Sequence, residues 1–132
     1  IHAALGLANL KYYEKVLNDR KYKYMRYLNN LSKISSVQFQ IIKYGETNYS
    51  YFPILLQSES KVLKVIEALE KINIIPRRYF YPSVNTYSAV ISYQECPVSE
   101  YLASRILCLP LYYELELKVI DEISLVIEKT LN

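Results

Sequence analysis

From Ile1 to Leu31 the chain has no proline, and Leu10, Tyr13, Leu17, Tyr24, Leu28 and Leu31 recur at spacings of three, four and seven. Apolar side chains at that period share one face of an α-helix, so the stretch predicts a long helix with a single apolar stripe. If continuous, its residues rise about 1.5 Å each and make a rod of roughly 45 Å. A domain of 132 residues needs nothing so long. The first turns, Ile1-His2-Ala3-Ala4-Leu5-Gly6-Leu7-Ala8, are apolar nearly all round, and no Ser, Thr, Asp or Asn stands in front to cap them. A helix start of that kind lies against another body of protein, which predicts a missing domain upstream of Ile1.

Composition allows one ordinary core: 52% of residues are hydrophobic and 22% charged. No apolar run approaches the roughly 18 to 20 residues of a membrane span. The net charge of +3 comes from 16 basic and 13 acidic residues that are interleaved, which argues against nucleic acid as a partner. Cys96 and Cys108 make neither a metal-ligand spacing nor a disulfide framework and read as buried thiols. The chain has no charged start, apolar stretch and cleavage site of a secretory signal, so a cytoplasmic protein is expected. Fifteen Tyr and no Trp point to many half-buried positions.

After the rod, strand and helix signals alternate. Val37 to Tyr44 and Tyr49 to Leu56 read as a hairpin turning at Gly45-Glu46-Thr47-Asn48, with Pro53 demoting the second strand to an edge or a bulge. Ser58 or Ser60 starts a helix to about Asn73 with Val62, Leu63, Ile66, Leu69 and Ile72 inward. Ile74 to Tyr81 reads as a strand in which Arg77, Tyr79 and Tyr81 point one way and Arg78 and Phe80 the other. A loop runs from Pro82 to about Glu95, and Pro97 suits the first turn of a helix over Val98 to Ile106. Leu107 to Leu111 is a short strand, and Leu117, Ile120, Ile123, Ser124, Ile127 and Leu131 form the stripe of a last helix. The expected fold is α+β: a small, mostly antiparallel sheet with helices on one side, preceded by the long helix. Residues 1–32 then form an interdomain helix and 33–132 a small α/β domain.

Chemistry is sparse. Gly6 and Gly45 are the only glycines, so no glycine-rich loop cradles a phosphate. His2 is the only histidine, without ligand partners, and reads as a packed or interface residue. No serine has a nearby base or elbow glycines, no metal site is expected, and the lysines sit mostly on polar helix faces. What remains is Pro76-Arg77-Arg78-Tyr79-Phe80-Tyr81-Pro82-Ser83, where two guanidiniums and two phenols meet. Arginine forks match phosphate oxygens, and tyrosines stack on or hydrogen-bond to a sugar or base. Equally, the arginines cap a surface and the tyrosines pack.

Three blocks now carry a resemblance across nearly the whole chain: Ile1 to Leu10 followed by the basic helix Arg20 to Leu31, Ile75 to Ser83, and Cys96-Pro97-Val98-Ser99-Glu100 with Arg105 to Tyr112. They resemble the carboxy-terminal third of the DegT/DnrJ/EryC1/StrS family of sugar aminotransferases, in particular members acting on keto-deoxyhexose nucleotides such as a dTDP-3-keto-6-deoxyhexose. The resemblance implies a fold-type I aminotransferase whose pyridoxal phosphate (PLP) and Schiff-base lysine belong to a domain upstream of Ile1. It further implies that the isolated chain binds no PLP and is inactive, and that the full-length enzyme uses glutamate as amino donor and forms a homodimer. Substrate-side residues carried over are Arg78, Tyr79 and Tyr81, then Ser83 and Asn85; no catalytic residue is carried over. Other branches place histidines where Tyr79 and Tyr81 stand. The competing class is a non-catalytic ferredoxin-like module that binds RNA through strand aromatics such as Tyr49, Tyr51, Tyr79 and Tyr81, or a protein.

Overall fold

A computed structural model describes residues 1–89 and 92–132. The expected rod is two helices, α1 (His2–Leu10) and α2 (Tyr13–Leu31). Between them Tyr12 donates its N–H to Asn9 and sits at φ −105°, which interrupts the α-helical ladder without any proline. Nothing in α1 is buried: Leu5, Leu7 and Leu10 are each more than half exposed, and His2 is exposed rather than packed. The apolar stripe becomes a buried one only in α2, at Tyr27 and Leu31, with Tyr24 and Leu28 half-buried against the core.

The sheet has three antiparallel strands in the order β1 (Gln38–Phe39), β2 (Phe52–Leu55) and β3 (Ile106–Leu109). The expected hairpin pairing is present, Phe39 opposite Ile54, but its strands are far shorter than Val37–Tyr44 and Tyr49–Leu56. Pro53 was expected at an edge or a bulge, yet β2 is the central strand. The reason lies in the ladder. Cys108, opposite Pro53, directs both its N–H and its C=O away to Arg77, at 2.7 and 3.0 Å. Pro53 therefore occupies a non-hydrogen-bonded position toward β3, and its missing donor faces the side where β1 has already ended at Phe39. The strand is central at Ile54 and an edge at Pro53.

A further expectation fails at Ile74–Tyr81, which contributes only the bridge between Arg77 and Cys108 and is otherwise irregular. Once β3 ends at Leu109 and both groups of Cys108 are taken by Arg77, no further partner carries the ladder on. The loop expected from Pro82 to Glu95 is observed apart from residues 90 and 91, which lie outside the described residues, and it contains one 3-10 turn at Val84–Thr86.

Three helices follow their sequence signals closely. Ser58 caps α3 (Glu59–Glu70), its Oγ accepting from Lys61 N–H. Asn73 ends the helix in the left-handed region at φ 60°, with Ile74 N–H returning to the Leu69 carbonyl and Asn73 N–H to that of Glu70. Leu63, expected inward, is 53% exposed; Val65 is the buried residue of that turn. Pro97 opens α4 (Pro97–Arg105), while Cys96 before it is exposed, unlike the buried Cys108 and contrary to expectation. The last helix, α5 (Leu117–Leu131), buries Ile120, Ile123, Ser124, Ile127 and Leu131 as its stripe requires.

The core lies between one sheet face and α2, α3 and α5. Phe52, Ile54, Leu107 and Leu109 meet Tyr27, Leu31, Val62, Val65, Leu69, Ile120, Ile123 and Ile127 there. The buried Tyr27 hydroxyl donates to the Pro110 carbonyl, and buried Lys23 reaches both Asp19 and the Tyr112 carbonyl. Outside the core, Arg26 forks onto Asp121 through two 2.8 Å bonds, and Asn30 donates to the same carboxylate, tying α2 to α5. Among the described residues no helix is long and apolar enough to cross a membrane.

Two measurements check this packing. Phe52→Ala should lower the unfolding free energy by about 3 to 5 kcal/mol in urea titrations, the usual result of truncating a buried aromatic. Arg26 and Asn30 hold the Asp121 carboxyl below the usual aspartate range. Its folded pKa is depressed, so its stabilising contribution is present above the unfolded pKa and disappears as pH falls through the folded one. Asp121→Asn should therefore lower Tm at pH 7, and the difference from the wild type should vanish below the ordinary aspartate range.

Candidate functional site

The sheet face away from the core is only partly covered. Pro53, Leu55 and Ile106 are half-buried there, and three adjoining clefts of about 260, 280 and 290 Å³ cross it. Ile106 lines all three, with Tyr79 and Phe80 on one flank and Gln38 and Gln40 on the other. β1 stops at Phe39, and α4 borders the groove through Ser99, Leu102 and Ala103. A fourth and larger cleft, about 430 Å³, lies at the sheet edge between Arg77, Tyr79 and Tyr51 on one side and Leu115 and Val119 on the other.

Each residue singled out from the sequence has a definite place. Tyr79 is half-buried and lines the larger cleft and two of the groove's three, with its ring edge-on to Tyr51 at 5.5 Å. Arg78 turns away from the groove. Its Nη2 donates to Glu59 at 2.9 Å and to the Ser104 carbonyl at 3.2 Å, and its guanidinium lies 3.4 Å from the centre of the Tyr81 ring. Tyr81 thus shares a side with Arg78, against the strand alternation that put them on opposite faces. Hydrogen bonding from the Tyr81 hydroxyl, and then from Arg78, holds the Glu59 carboxyl below its ordinary range. Arg78, Tyr81 and Glu59 form a brace that fixes the turn after Arg77 to the first turn of α3.

Ser83 and Asn85 are buried, at 6% and 7% exposure. Ser83 Oγ donates to Asn85 Oδ1 and shares a hydrogen bond with Ser99 Oγ, both at 2.6 Å. Both hydrogens of the Asn85 amide are used as well, on the Gln94 carbonyl and on Glu100 Oε1. Ser83 lines the groove beside Ser99. The residues missed from sequence are those that hold the others: Glu59, Ser99 and Glu100. Only Glu100 carried a local signal, an acid four residues after Cys96 that reaches back to its backbone N–H at 3.1 Å.

The aromatic platform of an RNA-binding sheet is not formed. Tyr49 packs on Tyr24 at 5.3 Å, Tyr81 lies on Arg78, and none of these tyrosines belongs to a strand. Among the described residues no group of three metal-ligating side chains exists. Burial pushes the Cys108 thiol above its ordinary pKa, with the Tyr79 backbone N–H acting the other way, so it is not an activated nucleophile.

The brace generates a prediction. In a double-mutant cycle of Arg78→Ala and Glu59→Ala, chemical unfolding should report a favourable coupling of roughly 0.5 to 1 kcal/mol, the value of a partly screened pair. Strictly additive losses would mean that the pair is not formed in solution.

Comparison with known proteins matches this geometry to a family. The dTDP-4-amino-4,6-dideoxy-D-glucose transaminase of Shigella dysenteriae is 33% identical over 93% of this chain, which spans 35% of that protein's length. The crystal structure of the aminotransferase TlmJ from Streptoalloteichus hindustanus superposes with a TM-score of 0.88 at 18% identity, covering 98% of this chain and 35% of that one. DesI, solved in the presence of its TDP-sugar product, gives 0.82 at 22% identity over 96% of this chain and 34% of its own. At those identities the two structures establish the fold, that of a small α+β portion of a sugar aminotransferase. The family described as the DegT/DnrJ/EryC1/StrS aminotransferases, which is PLP-dependent, matches residues 1–128, and this chain belongs to it.

Proposed function

We propose that the chain is the carboxy-terminal part of a PLP-dependent aminotransferase that aminates a keto-6-deoxyhexose carried on dTDP. The observation that carries this is the 33% identity to a dTDP-amino-dideoxyglucose transaminase along 93% of the chain. That relative's name puts the amino group on carbon 4, so a 4-keto sugar is the proposed acceptor, in place of the 3-keto sugar suggested by the sequence blocks. Residues 33–132 are the small domain. Residues 1–32 reach toward the other two-thirds of the protein, and the exposed Leu5, Leu7 and Leu10 of α1 are surface for that contact. Glutamate as donor, a homodimer and a cytoplasmic setting complete the proposal.

The residues present do not fit the cofactor itself. Among the described residues no lysine lines the groove or the cleft at the sheet edge, and buried Lys23 is engaged by Asp19 and the Tyr112 carbonyl. Neither Gly6 nor Gly45 is where a close-packed group would need the missing Cβ. Amino-group chemistry is accordingly assigned to residues outside this chain. What this chain supplies is a wall for the nucleotide sugar. Tyr79 offers a ring face and a hydroxyl, Arg78 and Tyr81 brace it from behind, and Ser83 and Asn85 set the loop that follows. Arg77, exposed and with no hydrogen bond from its guanidinium among the described residues, lines the larger cleft where a diphosphate would meet a guanidinium fork.

The decisive experiment uses the protein encoded by the whole reading frame with PLP, glutamate and the dTDP-4-keto-6-deoxyhexose. Mass spectrometry should detect the amino sugar nucleotide, and Tyr79→Ala should raise KM for it about tenfold, a loss of one substrate contact. The 132-residue chain alone, reduced with borohydride in the presence of PLP, should show only the scattered, substoichiometric labelling that free PLP gives exposed amines. A stoichiometric adduct on one lysine would overturn the assignment of the cofactor to another part of the protein.

A further inference from the structure

We infer that Glu100 is a positioning residue: its carboxylate clasps the loop after Tyr81 and so holds Tyr79, Phe80 and Ser83 in place as the wall of the groove. The inference rests on the reading of that groove as the nucleotide-sugar wall and names what keeps it in shape.

One oxygen makes the clasp. Glu100 Oε1 accepts from Asn85 Nδ2 at 2.5 Å, from the Cys96 backbone N–H at 3.1 Å and from the Tyr93 hydroxyl at 3.3 Å. These donors come from both ends of the excursion between Ser83 and Cys96, so a single side chain on the first turn of α4 ties them together. Asn85 passes the constraint on. Its second amide hydrogen goes to the Gln94 carbonyl at 2.7 Å, and its Oδ1 accepts from Ser83, whose Oγ is also bonded to Ser99 on α4. Both amide hydrogens and the carbonyl oxygen of a residue only 7% exposed are thereby bonded inside the protein. Ser83 in turn lines the same cleft as Tyr79, Phe80 and Ile106.

Charge matters to this arrangement. A carboxylate accepts several hydrogen bonds at once, each shorter and stronger than a neutral one, and the start of a helix favours negative charge. The Cys96 N–H first, and then Asn85 and Tyr93, hold the Glu100 carboxyl below its ordinary range, so it is ionised at neutral pH. Without the clasp, the loop would regain the freedom that closing a long segment removes. Glu59 does a different job, since it braces the turn at Arg78 and Tyr81.

Hydrogen exchange on the protein encoded by the whole reading frame reads the clasp directly, at the amides of residues 84–89 and 92–96. In Glu100→Ala these should exchange at least about tenfold faster, what the loss of a charge-assisted bond implies. Those of α2, α3 and α5 should be unchanged. Glu100→Gln keeps an acceptor oxygen in the same place but loses the charge and should restore part of the protection, whereas Asn85→Asp, which sets a second carboxylate against the first, should behave like the alanine variant. Wild-type exchange in Glu100→Ala would overturn the inference, as would loosening that extends equally to the three helices or that Gln fails to rescue. In the whole enzyme, Glu100→Ala should raise KM for the nucleotide sugar more than it lowers kcat, with KM for glutamate unmoved. A loosened loop with an unaltered KM for the sugar would leave the clasp standing as a feature of the fold. It would remove its role at the groove, and with it the reading of the groove as a substrate wall.

Discussion

Burying Phe52 is the constraint from which the rest of the structure follows. Its ring lies 4.9 Å from Tyr27, 4.7 Å from Tyr24 and 6.0 Å from Phe39, so one side chain draws α2, β1 and β2 to a common point. A buried aromatic removes about 150 to 250 Å² from water, more than any other contact available to so short a strand. Once Phe52 and Ile54 face inward, period-2 alternation turns Pro53 and Leu55 outward, and β3 must present Leu107 and Leu109 to the same side. The apolar stripe of α5 then has a surface to cover.

The outward face is a by-product of that burial, and it is where the candidate site lies. Pro53 ends the pairing with β1, Cys108 opposite it gives both backbone groups to Arg77, and the chain leaving Arg77 is thereby placed across the mouth of the gap. A brace at Arg78 and the polar network around Glu100 then fix the direction of the following residues. The site is therefore built from irregular backbone set by side-chain hydrogen bonds, on a scaffold set by apolar packing. Of the residues singled out, Tyr79 lines both the larger cleft and the groove and Tyr81 is exposed with its ring against Arg78, while the polar atoms of Ser83 and Asn85 are turned onto their neighbours.

How far the sequence could be read depended on whether a signal was local. The Ser58 cap, the proline opening α4 and the stripe of α5 each act over a few residues through their own backbone, and all three helices are present with bounds close to those expected. Strand extents were overread because β-branched and aromatic residues mark a surface suited to a sheet without saying whether a partner is available. Val37–Tyr44 and Ile74–Tyr81 had the residues and lacked the partner. Cys96 and Leu63 were misplaced for a related reason: apolar character permits burial, and position relative to the core decides it.

The amino-acid sequence by itself determined the family, the α+β class, the helices that carry local caps and stripes, and the segment from Arg77 to Asn85 as the place to look. These rest on residue type and spacing, which need no knowledge of what lies across the fold. Only the tertiary structure decided that β2 is central despite its proline, that the opening helix breaks at Tyr12, and that Arg78 meets Glu59 and Asn85 meets Glu100. Each of those outcomes turns on partners from 15 to 57 residues apart in the chain, or on the local φ of one residue. Spacing along a sequence does not encode which distant backbone group is left to be satisfied.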